Sequence, residues 1–172
     1  KISEGRQDEI RECIGCNICV SGDFTSTPLR CTQNPTIAEE FRKGWHPEII
    51  SPKKNDASVL VLGGGPAGLE ATLALSKRGY DVTLAEASGE LGGRVLLESR
   101  MPGLGEWKRV ADHRTYMISQ KSNVETYLNS RLTADQVLEF GFDHVLLATG
   151  ASWRADGIGR AIIHPLQATA AT

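Results

Sequence analysis

Apolar residues along this chain fall into two textures. Up to about residue 48 they are scattered among polar residues without a sustained period, and the pattern predicts only a short helix from Arg6 to Arg11 in an otherwise irregular segment. From Ser58 onward, strand-length apolar runs alternate with stretches of helical period. Val59-Leu60-Val61-Leu62 is a continuous aliphatic run, the pattern of a strand buried on both faces. A helix is expected from Ala67 to Arg78, with Ala67, Ala71 and Ala74 as a small face and Gly79 as its stop. Asp81 to Glu86 reads as a second strand, and Val124 to Leu128 as a third. Between them, Trp107, Val110, Ala111, Met117 and Ile118 mark an amphipathic helix from Glu106 to Gln120. Thr133 with Gln136 forms a capping-box pair opening a short helix to Glu139, and His144 to Ala148 is a fourth strand. This alternation predicts an α/β fold, a parallel sheet with helices on both faces, preceded by the irregular segment 1–48 and a polar linker over 49–57.

Composition changes this picture little. Of 172 residues, 40% are hydrophobic and 23% charged, ordinary for a soluble globular chain, and the formal net charge of −2 gives no pull toward nucleic acid or an anionic membrane. No apolar run approaches the ~18 residues of a membrane helix. The chain opens on Lys1-Ile2-Ser3-Glu4-Gly5-Arg6, which lacks an initiator Met and the basic and apolar regions of a signal peptide. It ends at Ala168-Thr169-Ala170-Ala171-Thr172, soon after a motif that belongs mid-domain. The expectation is a piece of a longer cytoplasmic polypeptide, with residues 58–172 a partial nucleotide-binding domain.

The candidate chemistry begins with four cysteines. Cys13, Cys16 and Cys19 are each separated by two residues, and Cys31 follows after eleven more. A cubane cluster takes one thiolate per iron, and three closely spaced cysteines plus one remote one is a cluster spacing. Gly15 and Asn17 let the backbone curl around such a body. The rivals are a zinc site, which usually draws on paired Cys-x2-Cys knuckles, and a disulfide-stapled loop, which this chain gives no secretory reason to form. Thr32 stands after Cys31, where bacterial ferredoxins have Pro. Arg11, Arg30 and Asn17 are either donors to cluster sulfurs or solvated loop residues, and Trp45-His46-Pro47 either shields the site or packs on the following domain. His46, His113, His144 and His164 each lack a second ligand at a metal-like spacing, so surface or packing roles are expected for them.

The second motif is Gly63-Gly64-Gly65-Pro66-Ala67-Gly68, between the first strand and the first long helix. Strand, glycine loop and helix together are the context a dinucleotide fingerprint requires. Gly63 permits the turn, Gly65 the approach of a pyrophosphate, and Gly68 close packing of helix on sheet, while the helix N-terminus, which Pro66 and Ala67 open, offers the phosphates the free N–H groups that follow Pro66, which has none of its own. Glu86 follows Gly68 by eighteen residues, where a carboxylate accepts hydrogen bonds from ribose hydroxyls and repels a 2′-phosphate. Ala87 beside it, the turn Gly92-Gly93-Arg94, and Ala148-Thr149-Gly150 complete the candidate cofactor site. Both latter stretches also read as plain glycine turns. No catalytic acid, base or nucleophile stands out.

Gly92-Gly93-Arg94 and Ala148-Thr149-Gly150 resemble the corresponding turns of two-dinucleotide flavoproteins similar to glutathione reductase. Glu12-Cys13-Ile14-Gly15-Cys16-Asn17-Ile18-Cys19, Cys31-Thr32-Gln33-Asn34-Pro35, Gly44-Trp45-His46-Pro47-Glu48 and Pro102-Gly103-Leu104-Gly105-Glu106-Trp107 extend the likeness. With them, residues 1 to about 155 resemble the trimethylamine, dimethylamine and histamine dehydrogenase family, relatives of 2,4-dienoyl-CoA reductase. The resemblance implies a parent about four times this length, with an FMN-carrying barrel before this chain and a further nucleotide domain after it. It implies a [4Fe-4S] cluster on Cys13, Cys16, Cys19 and Cys31 that relays electrons from FMN, with an electron-transferring flavoprotein as acceptor, and an oligomeric parent. It also implies ADP, or FAD as in the reductases, at the glycine loop. The two-residue gap between Cys16 and Cys19 is that of the amine dehydrogenases, where reductases have three. Arg94 stands where those dehydrogenases carry His and leaves ADP against FAD open. The alternatives are a piece of an NAD(P)H-dependent enoate reductase, or a stand-alone nucleotide-binding module with a structural cluster.

Overall fold

The computed structural model describes residues 1–38 and 50–152. The predicted roles of Trp45, His46 and Pro47, and His164 with the rest of the C-terminal stretch, lie outside the described residues. Four strands, β1 (Ser58–Leu62), β2 (Asp81–Ala85), β3 (Val124–Tyr127) and β4 (His144–Leu147), form one parallel sheet in the order β3-β2-β1-β4. Among the described residues five α-helices accompany them: α1 (Ile18–Asp23), α2 (Pro66–Arg78), α3 (Val95–Glu98), α4 (Arg109–Ser119) and α5 (Ala134–Glu139). All four predicted strands are present. The predicted 106–120 helix begins as a 3-10 turn at Gly105–Lys108 before becoming α4. The Thr133 capping box is formed, Thr133 accepting from the Gln136 N–H while the Gln136 side chain accepts from Thr133. Helices α1 and α3 are too short to show a period and were not predicted.

The strand order places β1 between β2 and β4, so chain order reverses there. In open α/β sheets such a switch point opens a crevice at the carboxyl ends of the strands, where nucleotides bind. Alternation along β1 sends Val59 and Val61 to the face covered by α2 and α4, where they join Leu69, Leu73, Val82, Leu84, Val110, Ala111 and Ile118 in one buried cluster. Each such fully buried side chain stabilises the fold by about 1.5–3 kcal/mol. The opposite face is crossed by the β3–β4 connection, which carries α5, and Leu132, Phe140 and Phe142 stand over Leu60, Ala85 and Tyr127 there. This second cover is thin, since α5 buries none of its residues.

Two predicted features are corrected. Helix α2 turns Gly68, Leu69, Thr72, Leu73 and Ser76 inward, rather than the alanine face of Ala67, Ala71 and Ala74. Gly68 meets the Gly63 loop on this face, where a Cβ would overlap the Gly63 carbonyl oxygen, and Leu69 and Leu73 enter the core beside it. The predicted Arg6–Arg11 helix is only a 3-10 turn at Gln7–Glu9, because Ile10 is already extended and the stretch has no apolar stripe to bury. The N-terminal segment nevertheless packs on the sheet domain: Ile14 is buried in the same cluster as Val59 and Val61. Residues 50–57 run alongside the end of α2, with the Lys53 N–H donating to the Arg78 carbonyl at 2.7 Å and the Lys54 N–H to the Tyr80 hydroxyl at 3.3 Å. No helix among the described residues is long and apolar enough to cross a membrane.

Candidate functional site

A cavity of about 800 Å³ opens at the carboxyl ends of β1, β2 and β4. Its walls include Gly63, Gly65, Pro66, Ala67, Glu86, Gly93, Arg94, Ala148, Thr149 and Gly150, all predicted from sequence. Val95, Glu98, Ala151 and Ser152 also line it and were missed, because none belongs to a motif. Gly68 and Gly92 act from behind the wall, and Ala87 is not part of the lining.

The backbone explains the glycines. Gly63 has φ +104°, and a Cβ there would overlap the Ala148 carbonyl. At Gly68 a Cβ would overlap the Gly63 carbonyl oxygen, so α2 can start beneath the loop only because that position has no side chain. Gly65 faces open space, the free path a pyrophosphate needs. The second glycine turn is tied to the first, the Gly92 N–H donating to the Gly64 carbonyl at 2.8 Å, so two separate motifs become one cradle. At its rim Arg94 Nε pairs with Glu98 Oε1 at 2.7 Å.

Glu86 is fixed from three sides. Its Oε2 accepts from the Gly64 N–H at 2.5 Å, and its Oε1 accepts from the Ser88 N–H and hydroxyl at 2.7 and 2.8 Å. Burial pushes the carboxyl upward, but the Ser88 and Gly64 N–H groups outweigh it and leave it below the usual carboxylate range. Glu86 is therefore an anion at neutral pH, with lone pairs left for ribose hydroxyls. Glu86→Ala is expected to weaken ADP binding by ~1–3 kcal/mol, the cost of unmade charge-assisted hydrogen bonds, and to narrow the preference for ADP over its 2′-phosphorylated form. Calorimetric titration with both nucleotides checks this; equal affinities in the unmodified protein would remove Glu86 from the ribose.

The cysteines sit on a tight coil. Gly15 and Asn17 both take left-handed conformations, φ +67° and +57°, and Asn17 leads into α1, which carries Cys19. The Gly15 N–H donates to Cys13 Sγ at 3.4 Å and the Gln33 N–H to Cys31 Sγ at 3.3 Å. Thr32, at the position where ferredoxins have Pro, puts its hydroxyl 3.1 Å from Cys16 Sγ and so joins the remote arm to the close-spaced one. That hydroxyl first, and the Ile18 backbone next, draw the Cys16 thiol below its ordinary value, against burial. All four cysteines are free thiols. Among the described residues, no three His, Cys, Asp or Glu side chains converge on one point as a single metal ion would require.

Of Arg11, Arg30 and Asn17, open from sequence to cluster sulfurs or to solvent, none directs its side chain to a cysteine sulfur in the hydrogen bonds of the described residues. Arg11 donates to the Gln33 carbonyl and lies 3.7 Å from Glu70, Asn17 contributes its backbone, and Arg30 is exposed. His113 packs against the N-terminal segment, its Nε2 3.3 Å from the Glu9 carbonyl, and burial first lowers its pKa; His144 is exposed. Sequence reasoning missed two arginines of α4. Arg109 donates to the Cys13 carbonyl at 3.1 Å and pairs with Glu12 at 3.2 Å. Arg114, 4% exposed, donates to Glu70 on α2 at 2.6 Å and to the Gln33 side chain at 3.0 Å. No local motif marks either one. A charged residue at a buried helical position is the only signal, and Arg114 shares the helix face of Val110 and Ile118.

Residues 49–162 match the pyridine nucleotide-disulphide oxidoreductase family. The dimethylamine dehydrogenase of Hyphomicrobium sp. (strain x) is 43% identical, the match covering 96% of this chain and 23% of that protein. The NADH oxidase of Thermoanaerobacter brockii is 40% identical over 88% of this chain and 23% of its own length. Among solved structures, histamine dehydrogenase from Rhizobium sp. 4-9 superposes with a TM-score of 0.89 at 63% identity, covering 96% of this chain and 24% of that one. The chain thus spans about a quarter of the length of these relatives. The amine-dehydrogenase likeness read from the cysteine and glycine motifs is borne out.

Proposed function

Because this chain belongs to the pyridine nucleotide-disulphide oxidoreductase family and its likeness to amine dehydrogenases extends through the cysteine segment, we propose that it is the electron-transfer portion of a larger iron–sulfur flavoprotein oxidoreductase. The parent is an amine dehydrogenase or demethylase whose substrate is oxidised at FMN in a preceding barrel. Residues 1–48 hold a [4Fe-4S] cluster, 49–57 connect, and 58–172 form the partial nucleotide domain. The observation that carries this reading is the joint seating of both motifs: the cysteine coil and the nucleotide cradle rest on one helix pair, α2 and α4.

The residues present fit a cluster. Cys13, Cys16, Cys19 and Cys31 offer four free thiols, and N–H groups of Gly15 and Gln33 already point at two of the sulfurs. A cubane takes one thiolate per iron, and the four cysteines supply that number. When bound, the cluster supplies one-electron transfer between a flavin and an outside acceptor. The Gly63–Gly68 loop and the α2 N-terminus hold a pyrophosphate, Glu86 takes the ribose hydroxyls, and Ala148-Thr149-Gly150 close the site. ADP there is structural, since adenine and ribose carry no accessible redox level. The acceptor is an electron-transferring flavoprotein, and the parent is a cytoplasmic homo-oligomer.

A second reading is favoured by the identity to an NADH oxidase: FAD fills the cradle and feeds the cluster from reduced nicotinamide. Iron and sulfide assay of the intact protein, mass spectrometry of its released nucleotides and anaerobic mixing with NADH separate the two. The expected result is about four irons per chain, ADP in the cradle, and a cluster band that dithionite bleaches and NADH does not. Bleaching by NADH at a turnover-like rate would promote the reductase, and absence of iron would remove the relay altogether.

A further inference from the structure

Beneath the Cys31 arm lies a charged network that neither motif explains. Gln33 is 5% exposed and works in both directions: its N–H donates to Cys31 Sγ at 3.3 Å, and its side-chain oxygen accepts from Arg114 Nη1 at 3.0 Å. Arg114 also donates to the Val110 carbonyl at 2.9 Å and to Glu70 at 2.6 Å, so its fork is locked by three partners. Arg11 closes the network from the other side, donating to the Gln33 carbonyl and lying 3.7 Å from Glu70. Two guanidinium groups and one carboxylate thus surround the residue that touches the Cys31 sulfur, and the balance is one positive charge.

Arg114 is buried while the side chain of its partner Glu70 is 38% exposed, and such a pair is weak evidence for stability, because desolvation of the guanidinium offsets the attraction. Its position beneath the Cys31 arm points to another use. Cluster potentials follow net charge and hydrogen bonding around the sulfurs, and a buried charge is screened far less than an exposed one. We propose that Arg114, held by Glu70 and joined to Cys31 through Gln33, is a positioning residue that fixes the Cys31 arm and raises the reduction potential of the iron–sulfur cluster. The sign follows from charge: reduction adds an electron, a nearby cation stabilises the reduced form, and the Glu70 carboxylate opposes it. Glu70 lies in the first turns of α2, whose N-terminus forms the nucleotide cradle, so one helix serves both cofactors.

This rests on the cluster reading above. The test is a potentiometric titration of the cluster, followed by electron paramagnetic resonance, in the intact protein and its R114Q, E70Q and R114Q/E70Q variants. A fall in potential in R114Q, a rise in E70Q and a return toward the unmodified value in the double variant are expected. A merely structural role would shift both single variants the same way or neither, and that result overturns the assignment. Should R114Q fail to retain a cluster, R114K and E70Q decide. R114K near the unmodified potential with E70Q raised supports the role, and any other pairing removes it. An unmodified protein without iron and sulfide instead marks failure of the cluster reading itself.

Discussion

Gly68→Ala is expected to destabilise the protein by ~1–3 kcal/mol, as overpacking of a filled site does, and to abolish nucleotide binding. The sign is informative, because Gly→Ala inside a helix ordinarily stabilises by about 1 kcal/mol. Here the added Cβ would overlap the Gly63 carbonyl oxygen and lie 3.3 Å from the Ala148 Cβ. Helix α2 would have to back away from β1, carrying its N-terminal N–H groups out of the cradle. Gly65→Ala separates the two consequences. Gly65 has φ −73°, which any residue adopts, and its Cβ would enter open space. That variant should keep its melting temperature and still lose ADP, because the methyl group occupies the approach of the pyrophosphate. Thermal melts and ADP calorimetry on both variants check this; an unchanged melting temperature in Gly68→Ala would refute the contact.

These glycines also show where sequence is a sufficient guide. A strand, a turn that excludes Cβ atoms and a helix are each local, so Val59 to Gly79 could be placed from composition and spacing alone. The cavity wall followed, since Gly63, Glu86, Gly93 and Thr149 are brought together by the parallel sheet the pattern implies. What stayed hidden depends on contacts across the chain. The inward face of α2 carries Gly68 against the Gly63 loop and Leu69 and Leu73 in the core, not its alanines. Glu98 reaches the cradle only because Gly92 bonds to Gly64 and starts α3 there. Arg114 looks like a solvated helix residue until the cysteine segment folds over it, 81 residues distant from its partner Gln33. Arg11, open from sequence to a cluster sulfur or to solvent, serves the Gln33 carbonyl instead, a choice no spacing rule could make.

In the intact protein, Cys31→Ala is expected to remove the four-iron cluster, leaving a labile three-iron species or no iron, while nucleotide affinity stays unchanged. Cys13, Cys16 and Cys19 lie on one coil and can hold three corners of a cubane, but the fourth iron needs a thiolate from elsewhere. Cys31 is the only remaining cysteine of the chain. Its arm reaches the coil through Thr32 at Cys16 and is held by the Gln33–Arg114 contact. The cradle, in contrast, is built from Gly63 to Gly68, Glu86 and the 92–94 turn, and shares no hydrogen bond with Cys31 among the described residues. Removal of the thiol should therefore separate the two sites: iron and sulfide content fall, and ADP calorimetry does not move. A four-iron signal surviving in this variant without a substitute ligand would exclude Cys31. A parallel loss of ADP affinity would mean that the cluster, not the sheet, organises the cradle.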